Sequence, residues 1–207
     1  MIYHEHLYYY SLLALDNHLR RHGLMVFDLK RIPIHGGSIR YYVCKAASRW
    51  AKTVTNPVVA LREEERGQGL DRVETFQHFA AEIARRKGSL MAFLERIRSA
   101  RKRVAGYGAS GRANTIIQYC GIGQAHLEYM IDDAPAKWGF YTPGSHFEIR
   151  SNEALRTDPP DYLIVFAWGY LGEIAEKCKP FLDAGGRLLT PLPEVRLMSH
   201  VNEATSP

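Results

Sequence analysis

Tyr3-His4-Glu5-His6 sets two imidazoles, a carboxylate and a phenol in consecutive positions. A histidine exchanges protons near neutral pH because its unperturbed pKa is about 6.5. A carboxylate beside it raises its basicity, so His6 with Glu5 suits general-base work. The Tyr3 phenol can donate a hydrogen bond to a developing enolate oxygen. The bland reading, polar residues ahead of a helix, stays open because sequence neighbours need not share a face. Metal binding fits poorly: His4 and His6 would share a face of an extended segment, but no third ligand is evident. Tyr8 stands where His-Glu-x-x-His needs its second histidine. His18 and His22, at i, i+4, fit an exposed helix face, and no metal site is expected.

Gly106-Tyr107-Gly108-Ala109-Ser110-Gly111 offers a second chemistry. It directly follows a predicted strand and opens a predicted helix, the context in which such glycines bind a nucleotide. Glycines allow a tight turn and a close backbone approach, and amides at the helix N-terminus can face a pyrophosphate. Asp132, at the end of the next predicted strand, could hold a ribose hydroxyl, and Arg112 a phosphate. An S-adenosylmethionine site would usually carry an acidic residue just ahead of the glycines, where Val104 and Ala105 stand. NAD stays open, as does a role for the glycines in packing alone.

These groups need elements to position them. The chain of 207 residues is 46% apolar, enough for one good core and part of a second. Its longest continuous apolar run, Tyr162 to Trp168, is too short to span a bilayer, and Met1-Ile2-Tyr3-His4 does not open a secretory signal. A cytoplasmic protein with no membrane partner is expected. Cys44, Cys120 and Cys178 form no Cys-x-x-Cys pair, so reduced, structural thiols are expected. The net charge of +5 clusters at Arg85-Arg86-Lys87 and from Arg96 to Arg103. Such helical clusters read as solvated faces, and no nucleic-acid module accompanies them.

Leu12, Leu15 and Leu19, closed by Arg20-Arg21-His22 and Gly23, predict a helix over 11–22. Extended stretches follow at 24–32 and 38–44, joined by Pro33 to Gly37. One helix and two strands cannot enclose a core, so residues 1–45 read as the end of a larger domain. Residues 46–100 read as a helical linker. Asn56 would cap a helix ahead of Pro57, and stripes at Phe76, Phe79, Ala80, Ile83 and at Leu90, Phe93, Leu94, Ile97, broken at Gly88-Ser89, are assigned to packing. From Arg103 strands alternate with helices: 104–105, a helix after Gly111, 127–131, 162–167, a helix from Leu171, and 187–190. That alternation predicts an α/β fold in which residues 101–200 form a Rossmann-like parallel sheet covered on both faces. Residues 201–207 are a polar tail.

Further motifs recur in order. Ile2 to His6 with Tyr9-Tyr10-Ser11, Ile32 to Ser38, and Gly106 to Thr115 are followed by Gln118-Tyr119-Cys120-Gly121, Tyr141-Thr142-Pro143-Gly144, Pro160-Asp161-Tyr162 and Pro191-Leu192-Pro193. Together they resemble the carboxy-terminal part of S-adenosylmethionine-dependent sugar C-methyltransferases, which methylate deoxy-ketosugars carried on a nucleoside diphosphate. The resemblance implies that His6 removes the proton next to the sugar ketone, with Glu5 and Tyr3 assisting, and that the enolate attacks the methyl group of S-adenosylmethionine. His35, Gly36, Gly37 and Ser38 would line the same cleft. Gly106, Gly108, Gly111 and Arg112, with Asp132, are expected to contact the nucleotide sugar, an inference from the loop more than from the family. The family has a zinc-binding domain and a methyltransferase domain ahead of a Rossmann-like one. This chain has no cysteine zinc site and lacks most of the methyltransferase domain, whose last elements residues 11–45 would be. The expected substrate is thus a nucleotide sugar, and a partner chain is expected to supply the S-adenosylmethionine half. A non-catalytic module binding NAD or a nucleotide sugar is the alternative, and an NAD-dependent oxidoreductase a third.

Overall fold

The computed structural model describes residues 8–34 and 37–201. The described residues divide into two compact units, one up to Glu82 and one from Ile83.

In the first unit, helix α1 (Leu12–Arg21) starts at Ser11, whose hydroxyl accepts the Ala14 amide at 3.1 Å. Strands β1 (Leu24–Ile32) and β2 (Ser38–Lys45) form an antiparallel pair. Helix α2 (Asn56–Gly67) supplies what this pair lacks, because its Val58 and Leu61 close a small core with Leu12, Val26 and Leu29. The cap of α2 is Thr55, one residue before the expected Asn56. The Thr55 hydroxyl instead donates to the Asp28 carboxylate at 2.6 Å and ties the helix to β1.

Two carboxylates fix the packing of α1. Glu65, 5% exposed, accepts the amides of Leu12 and Leu13, both at 2.8 Å. These are first-turn N–H groups with no partner inside their own helix. Asp16 pairs with Arg62 at 2.8 Å and Arg20 at 3.1 Å. On the strand pair, Phe27 stacks on Trp50 at 5.8 Å and meets Tyr42 at 6.4 Å, and both partners are exposed.

Helix α3 (Val73–Ser99) runs unbroken through Gly88-Ser89, against the expected interruption. A helical glycine costs about 1 kcal/mol relative to alanine, and burial of Leu90, Leu94 and Ile97 beyond it exceeds that cost. Only this second stripe packs. Phe76 and Phe79 are 52% and 55% exposed, so their periodicity does not mark a core.

The second unit is a six-stranded sheet in the order β5-β4-β3-β6-β7-β8. Its strands are β3 (Val104–Tyr107), β4 (Met130–Ile131), β5 (Ile149–Arg150), β6 (Tyr162–Val165), β7 (Arg187–Thr190) and β8 (Arg196–Met198). All pair in parallel except β8, which runs antiparallel to β7. Strands β5 and β8 are too short to carry a strand signal, and the stretch predicted at 127–131 pairs only at Met130 and Ile131. Side chains alternate between two cores. Val104, Ile164, Phe166 and Leu189 pack beneath the second half of α3 and helix α4 (Gly111–Cys120). Ala105, Tyr107, Leu163, Val165 and Leu188 face α6 (Leu171–Lys177) and α7 (Lys179–Asp183). A single turn, α5 (Ala154–Thr157), precedes β6. Among the described residues no helix is long and apolar enough to cross a membrane.

Replacing Glu65 with alanine would leave two first-turn amides without their acceptor and is expected to cost about 2 kcal/mol, read by chemical denaturation. Burial pushes the Cys178 thiol up to about 12, so at pH 8 it stays protonated and covered. Iodoacetamide should modify half-buried Cys44 in the native chain and reach Cys178 only on unfolding, as peptide mass mapping would show.

Candidate functional site

From β3 the chain builds outward through β4 to β5, then crosses over to β6 and continues to β7. Connections thus leave in opposite directions between β3 and β6, and such a reversal opens a crevice beyond the carboxyl ends of the strands. The glycine turn lies at this point, between β3 and α4.

Its glycines have different tasks. Gly106 lies inside β3, where a β-carbon would collide with the Met130 side chain and approach Phe166 Cε2 to 3.0 Å. Its lack of a side chain serves sheet packing. Gly108 has φ of +92°, and a β-carbon there would lie 3.0 Å from that of Ala167. It lets the turn leave β3 while passing close to the chain beyond β6. Ser110 is the N-cap of α4, its hydroxyl accepting the Ala113 amide at 3.3 Å, and Gly111 begins the helix. The first turn of α4 therefore presents backbone amides to the crevice, with Arg112 half-buried beside them.

Asp132 follows β4 as expected, but its carboxylate is committed. One oxygen accepts the Ala134 amide at 3.0 Å and the other meets Lys137 Nζ at 2.9 Å. Lys137 also donates to the Ala109 carbonyl at 2.9 Å and so ties the end of β4 to the glycine turn. Asp132 is 8% exposed and braces the end of β4 against the glycine turn. The next residue, Asp133, accepts hydrogen bonds from Tyr107, Asn152 and Lys177 at 2.6, 2.7 and 2.6 Å. Burial opposes its charge, but these donors hold its carboxyl below the usual range, while burial and then Asp133 push the Tyr107 phenol up.

Lys137 and Asn114 were not singled out from sequence. Lys137 has no motif to announce it. Asn114, in the second turn of α4, has a buried side-chain oxygen with no hydrogen-bond partner.

Of the other expected residues, Gly37 and Ser38 belong to the first unit, at the start of β2. Gly37 has φ of +114°, and its amide and the Ser38 hydroxyl donate to the Ile34 carbonyl at 2.9 and 3.2 Å. Tyr3, Glu5, His6, His35 and Gly36 lie outside the described residues. A recess of about 570 Å³, lined by Pro159, Pro160, Phe181 and Gly186 among others, lies at the amino ends of β6 and β7, and Asn152 and Lys177 in its lining reach Asp133. No group of three or more metal-ligating side chains occurs among the described residues.

Residues 33–193 match a family model described as the C-methyltransferase C-terminal domain. The C-methyltransferase NovU of Streptomyces niveus is 36% identical over 199 residues, which cover 96% of this chain and 47% of that protein. The chain thus spans about half the length of this curated relative.

Substituting Lys137 with methionine would leave one oxygen of the buried Asp132 without a partner. A loss of about 1 kcal/mol is expected, since the lysine is partly exposed. Adding Asp132→Asn should recover part of it, a coupling that a double-mutant cycle in denaturant would measure.

Proposed function

The chain belongs to the C-methyltransferase C-terminal domain family, and we propose that it binds a nucleotide-linked deoxy-ketosugar and supplies the general base for C-methylation of that sugar. The observation that carries the reading is the glycine turn opening α4 at the reversal of the sheet, in a chain that matches this family. Amides at the start of α4 and the Arg112 guanidinium suit the diphosphate, with Gly108 and Gly111 keeping the backbone clear of it. Tyr3, Glu5 and His6 are the proposed proton-transfer group. His6 would take the proton beside the ketone, Glu5 would strengthen it as a base, and Tyr3 would hydrogen-bond the enolate oxygen. His35, Gly36, Gly37 and Ser38 are proposed to line the sugar cleft.

Methyltransferases of this family use S-adenosylmethionine, and the described residues do not fit it. No acidic side chain precedes the glycines, Gly106 is filled in by Met130 and Phe166, and both oxygens of Asp132 are engaged. We propose that the methyl donor is held outside this chain, a reading supported by an alignment that covers 47% of NovU. The second reading is a nucleotide-binding module without catalysis, which the self-contained geometry of the glycine turn supports.

Calorimetric titration of the isolated chain with thymidine-diphosphate sugars should give saturable heat, and titration with S-adenosylmethionine none. Tight binding of the methyl donor would contradict the assignment. Combined with a polypeptide equivalent to the part of NovU outside the alignment, the chain should support methyl transfer, and His6→Ala should slow it about 10² to 10⁴-fold with sugar-nucleotide affinity retained. Unchanged transfer after that substitution would remove His6 as the base, and no transfer under any complementation would favour the non-catalytic module.

A further inference from the structure

Arg85 and Arg86 read from sequence as part of a solvated helical face, and in the fold Arg85 is exposed and Arg86 half-buried. With Ser89 they line a recess of about 240 Å³ against Pro191, Glu194 and Val195, immediately beyond the carboxyl end of β7. Lys87, next in sequence, turns away and donates to the Tyr119 carbonyl at 2.7 Å.

The position of this recess relative to the glycine turn follows from the sheet. Strands β3, β6 and β7 are consecutive neighbours, and both features lie at their carboxyl ends. Two strand spacings separate them, or about 10 Å. They also lie on the same face, because α3 and α4 share one hydrophobic core above the sheet. The crevice at the chain reversal is therefore bounded on one side by the amides of α4 and Arg112 and on the other by Arg85 and Arg86. Glu194 lines the same recess, so a ligand there meets a carboxylate beside the guanidiniums.

We propose that Arg85 and Arg86 form a second anchor for the diphosphate of the nucleotide sugar, gripping the phosphate that the first turn of α4 does not hold. This rests on the glycine-turn reading above and deepens it. Guanidiniums suit the task because their planar donors take phosphate oxygens in pairs, and an arginine side chain together with a diphosphate bridges the gap between the two sides. Opposed positive groups would fix the phosphates along the sheet edge and so set the direction in which the sugar leaves the crevice.

Titrations of the wild-type chain, the double variant Arg85→Gln/Arg86→Gln, the charge-retaining Arg85→Lys/Arg86→Lys and a control, Arg156→Gln, would test this, with circular dichroism to verify folding. The probes are thymidine 5′-diphosphate and thymidine. The glutamine pair should weaken diphosphate binding about 10- to 100-fold and flatten its dependence on salt, while thymidine affinity stays unchanged. The lysine pair should fall between it and wild type, and the control should match wild type. Diphosphate affinity within twofold of wild type in the glutamine pair, or a parallel loss for thymidine, overturns the second anchor and leaves the glycine-turn reading standing. Failure of the wild-type chain to bind either probe overturns both.

Discussion

Strand β3 can sit between β4 and β6 only because one of its positions, and the turn that leaves it, have no side chain in the way. At Gly106 the Met130 side chain and the Phe166 ring occupy the volume that a β-carbon would need. At Gly108 the backbone turns through a left-handed conformation beside Ala167. The sheet's centre closes on these contacts. Its alternating residues then reach two separate cores, one under α3 and α4 and one under α6 and α7. Because the same turn delivers the chain to α4, the packing constraint also decides where the helix N-terminus points. A structural need and a binding geometry thus share one segment.

Carboxylates, buried at Asp132, Glu65 and Asp16 and exposed at Asp133, hold the elements together. Asp132 and Lys137 join the end of β4 to the glycine turn, and Asp133 gathers Tyr107, Asn152 and Lys177 around the end of β3. In the first unit Glu65 and Asp16 perform the same service for α1. Each acid is satisfied by amides or cations, so its desolvation is offset and its geometry fixed. The consequence for binding is that these acids are spent on structure. What the turn into α4 presents is its backbone amides, the positive end of the helix.

Much of this was legible in the residues. Arg187 to Thr190 and the helix from Leu171 fall where their patterns place them, because apolar runs and their spacing are local signals. Strands β5 and β8 were not legible, since two or three residues pair only when a neighbouring strand presents its edge. Gly88-Ser89 read as a stop, but a long helix already packed beyond it absorbs a glycine. Phe76 and Phe79 show the converse, helical spacing without a partner to bury it. At the site, the glycine turn was visible as a motif, yet the division of labour between Gly106 and Gly108 was not.

The sequence alone determined the α/β class, the glycine turn between a strand and a helix, and the resemblance to the C-methyltransferase family that the 33–193 match shows. Each of these is written in local spacing or in the order of motifs along the chain. Only the tertiary structure decided that Asp132 is a brace, that Lys137 reaches the glycine turn, and that Arg85 and Arg86 face the carboxyl edge of the sheet. Those outcomes depend on contacts between residues far apart in sequence, or on which side of a helix meets the sheet. Side-chain type and spacing do not encode such choices until the strands take their order.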